Sequence, residues 1–465
     1  MTHDLVIRGA LIVTPAGTRH GDLAVTGGRI AEIGPALARG AQEIIAKGRL
    51  LMPGGIDSHC HIAQASVAGE PSCPDDWETA TRAAVAGGTT TVIPQSMSAR
   101  GDDIAAALDG YLALAADTAL IDHAVHVQMP DADPRALSET LPALAARGFR
   151  SVKMFSTYDG YTLTDAEMLA ILVAAAPLGI VSILHAEDDA LVRYATAAEL
   201  AAGRTGLDRQ THARPQAAEA QMIHRIATYA AATGARLHVY HVSGALALAE
   251  VVRAAAQGTA ITAETCAHYL CFTAADLARP HYEGARFLCA PPLRDEPDRQ
   301  ALWAALADGG LTMVSSDHSP RHRLTQIERA NAGHPMPFTA FGGGLPGLQM
   351  MLPAVFSGGV ATGRITPERF AMITATAPAR LFGLARKGVL APGYDADLAL
   401  WDADARWQVR HADMQSRVDF SPWDGEWITG KPVLTVSRGR IVMQDGQIDA
   451  TAVGHGLLLA QEAPR

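Results

Sequence analysis

The chain has 465 residues, 48% of them hydrophobic and 18% charged, enough to bury a large core and incompatible with a disordered or disulfide-stapled chain. Its formal net charge of −10, with no basic run, argues against a nucleic-acid backbone or an anionic membrane surface as partner and points to small molecules.

In chain order, residues 4–52 read as short strands, for example 4–8 and 28–33, separated by Gly-rich turns. The same texture returns at 397–401, 433–436 and 439–443. Each set alone has too few strands to hide an apolar face, which predicts one small β-sandwich domain assembled from both termini, 1–52 plus 386–450, followed by a tail at 451–465. Between these parts, residues 53–385 alternate short apolar runs with Ala/Leu/Glu/Arg-rich helical stretches at 76–86, 165–176, 217–232 and 299–307. Such alternation predicts an α/β fold, a (β/α)8 TIM-like barrel. A doubly wound open sheet is the alternative, and the GxGxxG that would favour it is absent after the first strand.

The start, Met1-Thr2-His3-Asp4-Leu5, lacks the basic and apolar regions of a signal peptide, and no run of 18 apolar residues follows. The cysteines, Cys60, Cys73, Cys266, Cys271 and Cys289, form no CxxC pair. The expectation is a cytoplasmic protein with no membrane association.

The inner strands share one feature at their ends. Residues 50–57 run into Ser58-His59-Cys60-His61; 149–153 ends in Lys153, 180–185 in His185, 236–241 in His241 and 311–317 in Asp317. In a barrel these positions converge on the C-terminal mouth, where active sites of that architecture lie. His59 and His61 have period-two spacing, so both imidazoles face the same side of an extended segment and can grip one ion. A lone strand-end histidine is more often a satisfied core residue. Ligand types at five strand ends are not independent coincidences.

Lys153 is chemically the odd member. Only four lysines occur, Lys47, Lys153, Lys387 and Lys431, and the other three sit beside glycine in turn-like sequence. An ammonium among metal ions is repelled, and a buried lysine tends to lose its proton. The neutral amine can react with carbon dioxide, and the resulting carbamate has two oxygens able to bridge two divalent ions.

Several stretches together resemble the cyclic amidohydrolases of the amidohydrolase superfamily, which include dihydropyrimidinases (hydantoinases), allantoinases and dihydroorotases. They are residues 53–61, 86–91, 151–155, His185-Ala186-Glu187, His241-Val242-Ser243, 264–270, 290–294 and Ser316-Asp317-His318. The resemblance spans essentially the whole chain. It implies that His59, His61 and Asp317 hold one metal ion, His185 and His241 a second, and that carboxylated Lys153 bridges them. Zinc is the implied metal, with manganese, cobalt or nickel also suited to a His, carboxylate and water shell. Asp317 would move the proton between the attacking water and the leaving ring nitrogen, and Tyr158 would hydrogen-bond the oxyanion. A homotetramer is also implied. A catalytically dead scaffold would have lost ligands, and a mononuclear deaminase would not need Lys153.

Dihydroorotases bind a substrate carboxylate through an arginine where this chain has Ala63, which disfavours dihydroorotate. Residues 75–84, 283–294 and 386–398 are similar to dihydropyrimidinases, whereas residues 316–320 and 347–349 are similar to allantoinases. The balance favours opening of dihydropyrimidines or 5-substituted hydantoins to N-carbamoyl amino acids, with allantoinase as the alternative. Two positions depart from the dihydropyrimidinase pattern: Ala290 replaces a serine whose backbone holds the ring, and Gly343 stands where asparagine is usual. Ala63, Met97, Phe155 and Tyr158 are expected to contact the exocyclic substituent. Other histidines, His123, His126, His238, His268 and His318, read as structural or supporting, with His238 packed outward among helices.

Overall fold

Runs without a single exposed residue, Gly55–Cys60, Thr89–Pro94, Ser151–Phe155 and Val181–His185, form inner strands, as expected of parallel sheet covered on both faces. The computed structural model describes residues 3–64 and 73–463; the first two and last two residues of the expected terminal segments lie outside that range. Six inner strands run parallel in the order Met313–Ser315, Ile261–Cys266, Arg236–Val239, Val181–His185, Ser151–Phe155 and Val127–Gln128. Three more, Gly55–Cys60, Thr89–Pro94 and Asp122–His123, form a second parallel sheet. Single bridges between Gln95 and His126, and between Cys60 and His318, join the two.

The helices expected between strands are present as Trp77–Ala86, Asp165–Ala175, Gln216–Thr233 and Glu296–Asp308. Reciprocal capping by Asp76 with Thr79, and by Thr164 with Glu167, sets the first two starts. The last begins three residues earlier than the sequence pattern indicates, because Pro297 falls in its first turn, where no amide hydrogen is needed. Among the described residues no helix is long and apolar enough to cross a membrane.

Strands from both ends of the chain form one nine-stranded sheet. Its seam is Leu50–Pro53, antiparallel to the start of Leu398–Gln408 and parallel to His3–Thr14. N-terminal Leu5, Ile7 and Leu23 share a buried core with C-terminal Leu398 and Leu434. The segment after residue 450 packs against the inner strands. Leu459 N donates to His123 O at 2.7 Å, Gln461 N to Gly148 O at 2.8 Å, and Gln461 Oε1 accepts from Arg150 N at 2.8 Å.

A buried charge cluster joins this sheet to the inner strands. Lys387, turn-like in sequence, is only 4% exposed; its Nζ lies 2.6 Å from Asp122 Oδ2, 2.6 Å from Asp397 Oδ2 and 3.1 Å from Asp395 Oδ2. Burial works against the ammonium, but Asp397 and Asp122 override it and push the pKa above that of an ordinary lysine. Removing the cation leaves buried Asp397 without a cationic side-chain partner among the described residues, whereas Asp122 keeps Arg438 and Asp395 keeps Arg386. Lys387→Met is therefore expected to cost about 3 to 5 kcal/mol, measured by urea denaturation. The same change at exposed Lys47 should stay within about 0.5 kcal/mol.

Candidate metal centre

Asp57 brings the first and last inner strand ends together. Its buried carboxylate accepts from His59 N at 3.2 Å, from Ser316 N at 3.1 Å and from Ser316 Oγ. His61 N donates to His318 O across the same junction, at 2.7 Å. Burial raises the Asp57 pKa to about 7, against the pull of these donors. As a result His59 Nε2 and His61 Nε2 lie 3.1 and 3.4 Å from Asp317 Oδ1, a group of three ligand types within reach of one ion.

The remaining candidates lie beside this group. His185 ends its strand, His241 follows Arg236–Val239, and their ring centroids are 4.4 Å apart. The His59 ring is 5.3 Å from that of His241. Lys153 is 1% exposed, with Nζ 3.8 Å from the Tyr240 ring centroid and 4.9 Å from that of Phe155. Burial lowers its pKa to about 7, although Asp317 and Glu264 oppose the shift. Burial likewise lowers the pKa values of His59, His185 and His241, which keeps these imidazoles in the neutral, metal-binding form.

Oxygen partners orient the rings. His59 Nδ1 is 2.7 Å from Glu264 Oε1, His61 Nδ1 2.7 Å from Gln64 Oε1, and His185 Nε2 2.8 Å from Glu187 Oε2. Burial would raise the Glu187 pKa, but Arg214, with Nε 3.0 Å from Glu187 Oε1, overrides it and holds it at about 2. His241 Nδ1 is buried without a hydrogen-bond partner among the described residues. Imidazoles fixed from one side by oxygen partners, with the other nitrogens of His59 and His61 converging on a carboxylate, fit divalent cations. His241, Asp317 and Tyr158 have φ of 42°, 43° and 87°, a left-handed region costing of order 1 to 3 kcal/mol per non-glycine residue, which clusters at sites that demand a set side-chain direction.

All six candidate ligands line one cavity of about 590 Å³. Tyr158 lines it too, its ring centroid 4.9 Å from that of His185, and burial raises its pKa so that the phenol keeps its proton. Met97, Phe155, Ala290 and Gly343 also face this space, and a Cβ built on Gly343 would lie 3.5 Å from that of Ala290. Ala63 is not among the lining residues. Its N–H bonds to Asp75 O at 2.9 Å, its φ is 50°, and its side chain packs against the apolar core.

The sequence reading missed Asp57, Glu264, Glu187 and Arg214 as supports, although Glu187 follows His185 by two residues and Glu264 opens one of the motifs. His238 requires a correction. Rather than packing outward, it is fully buried with Nε2 3.2 Å from Glu264 Oε2 and Nδ1 2.8 Å from Thr262 Oγ1. Counting alternation back from His241 fails because the strand ends at Val239 and His241 turns left-handed. His318 Nε2 meets Asp75 Oδ2 at 3.0 Å while its Nδ1 accepts from Gly347 N at 3.1 Å, so it holds loops together. His126 links Ser151 to Ser58 O. A ring nitrogen of buried His268 lies within 4.8 Å of an Asp317 carboxylate oxygen.

Comparison with known proteins agrees with this chemistry. The model of the amidohydrolase family matches residues 50–442. A D-hydantoinase of Ralstonia pickettii is 34% identical over 445 residues, covering 95% of this chain and 96% of its own. A solved D-hydantoinase superposes with a TM-score of 0.94 at 33% identity, covering 99% of this chain and 100% of that one. A dihydropyrimidinase from Brevibacillus agri gives 0.94 at 31% identity, covering 99% of both chains. The α/β fold, the cluster of ligand-type side chains and these full-length similarities place the chain in the amidohydrolase family, in its hydantoinase and dihydropyrimidinase branch of hydrolases that act on cyclic amides.

Proposed function

We propose that this chain opens dihydropyrimidines or 5-substituted hydantoins to N-carbamoyl amino acids, using two divalent metal ions. The observation that carries this reading is the convergence of five strand ends, one bearing a desolvated lysine, on a single cavity. The same reading takes Asp122–His123 and Val127–Gln128 as pieces of one strand position, leaving eight positions that close as the (β/α)8 barrel. The bridges from Cys60 to His318 and from Gln95 to His126 support that closure. Residues 53–385 are then the barrel and 1–52 plus 386–450 its β-sandwich companion, and the contacts of residues 459–461 support grouping the tail with the barrel side.

His59, His61 and Asp317 would hold one ion, His185 and His241 the other, with Lys153 between them. Two such ions, zinc or else manganese, cobalt or nickel, would supply a water of lowered pKa and a Lewis acid for the amide carbonyl. The neutral Lys153 amine adds to carbon dioxide and loses a proton, becoming an anionic carbamate. Asp317 accepts a proton from the attacking water and returns it to the leaving ring nitrogen. Tyr158, held protonated by burial, donates a hydrogen bond to the carbonyl oxygen as that atom becomes anionic. Backbone groups at Ala290 and Gly343 face the ring, and Met97 and Phe155 offer apolar surface to its substituent.

Substitution should separate metal binding from chemistry. Lys153→Arg places a permanent cation there that cannot form the carbamate, so metal content by plasma emission and turnover should both be lost. Retention of two ions and activity would exclude the bridge. Tyr158→Phe should keep its metal and lose about 10²-fold to 10³-fold in kcat, the scale for removing one oxyanion donor. For the ring itself, kcat/KM for dihydrouracil or a 5-substituted hydantoin should exceed that for allantoin and for dihydroorotate. The comparison uses metal-loaded enzyme in bicarbonate-containing buffer, and a preference for allantoin would overturn the ring assignment while leaving the binuclear chemistry standing.

A further inference from the structure

The cavity wall beyond Asp317 carries a cation that the ring-opening chemistry does not use. Arg321, four residues after Asp317, lines the cavity with Tyr161 and Phe341. Its side chain lies along the glycine segment opposite Ala290. Nε donates to Gly343 O at 3.1 Å, and a Cβ built on Gly342 would lie 2.9 Å from Arg321 Cδ. That anchor uses one of five guanidinium N–H donors, and no hydrogen bond or ion pair engages the terminal nitrogens among the described residues.

The other charged groups around the cavity are committed. Arg214 is spent on Glu187. Arg323, just behind the wall, donates to Ala285, Leu288, Gly342 and Gly344 carbonyls at 2.5 to 3.1 Å. Burial, then the like charge of Arg321, pushes its pKa to about 9, so it stays cationic at neutral pH and adds to a positive potential. The nearby carboxylates look elsewhere. Asp159, also on the cavity wall, pairs with Arg193 at 2.6 Å, Asp419 accepts from the backbone of Arg323 and Leu324, and Asp317 faces the histidines.

We infer that Arg321 is a specificity residue for substrates whose ring carries a short exocyclic arm ending in a carboxylate. This rests on the cyclic-amide reading above and deepens it. Met97 and Phe155 contact the apolar stem of such an arm, and the free guanidinium edge takes its anionic end as a charge-assisted hydrogen bond. The arrangement differs from a carboxylate borne directly on the ring, for which Ala63 offers no charge.

The test compares 5-(2-carboxyethyl)hydantoin with its uncharged isostere, 5-(2-carbamoylethyl)hydantoin, on the metal-loaded enzyme, with unsubstituted hydantoin as reference. The acid should be preferred about tenfold in kcat/KM at low ionic strength, and added salt should erode the preference because the guanidinium is solvent-accessible. In Arg321→Gln the ratio should fall to near one, and in Arg321→Lys it should survive in part. By calorimetry, N-carbamoylglutamate should bind the parent enzyme more tightly than N-carbamoylglutamine, a difference absent in Arg321→Gln. Equal handling of acid and amide by the parent, or a preference that persists in Arg321→Gln, overturns the inference while opening of unsubstituted hydantoin leaves the enzyme's assignment intact. Failure to open any of the three rings overturns both.

Discussion

The buried carboxylate of Asp57 is the constraint on which the site depends. It accepts from the amides of His59 and Ser316, residues 257 positions apart in the chain, and so makes the His59/His61 pair and Asp317 neighbours. A hydrogen-bonded junction of this kind is directional where hydrophobic packing is not, and ligand geometry needs direction to a fraction of an ångström. Packing brings the strands together; Asp57 sets the register in which they meet. The left-handed turns at His241 and Asp317 complete the aim, at a local cost in backbone energy borne by the surrounding core.

Two buried lysines show how the same side chain is put to opposite uses. Lys387 is ringed by three carboxylates and stays charged, joining two parts of the molecule. Lys153 lies between aromatic faces and pairs with no carboxylate among the described residues, and desolvation prevails. The difference lies in where the acids point. Glu264, which could have neutralised Lys153, instead engages His59, His238 and Ser315. An acid committed to His59 thereby leaves the lysine to behave as a desolvated amine.

The α/β class and the ligand-type residues that gather around one cavity were legible in the sequence because both leave local traces. Ligand types at the ends of apolar runs are visible one strand at a time, and capped helices such as Trp77–Ala86 carry their own start signals. Supporting residues leave no such trace. Glu264, Asp57 and Arg214 acquire their roles only through contacts across the fold, and Arg321 is one of many arginines until its place on the cavity wall is known. His238 failed for a related reason, since a period-two count holds only while the strand continues. Ala63 sits two residues after His61, yet a backbone bond to Asp75 turns it onto the core. Lys387 looked like a turn residue because its three acids come from distant segments.

The seam of the terminal sheet bears on how the molecule is made. Leu50–Pro53 takes its antiparallel partner from the start of Leu398–Gln408, and neighbouring Arg49 bonds to Asp402, 353 positions away. During synthesis from the N-terminus, at about 5 to 20 residues per second, that strand edge stays unpaired for tens of seconds while the inner strands emerge. Contacts of such long range also slow folding through the entropy of loop closure. The sheet that fastens the two ends of the chain is thus completed only when nearly the whole chain has emerged, and its open edge is where a nascent molecule is most exposed to pairing with its neighbours.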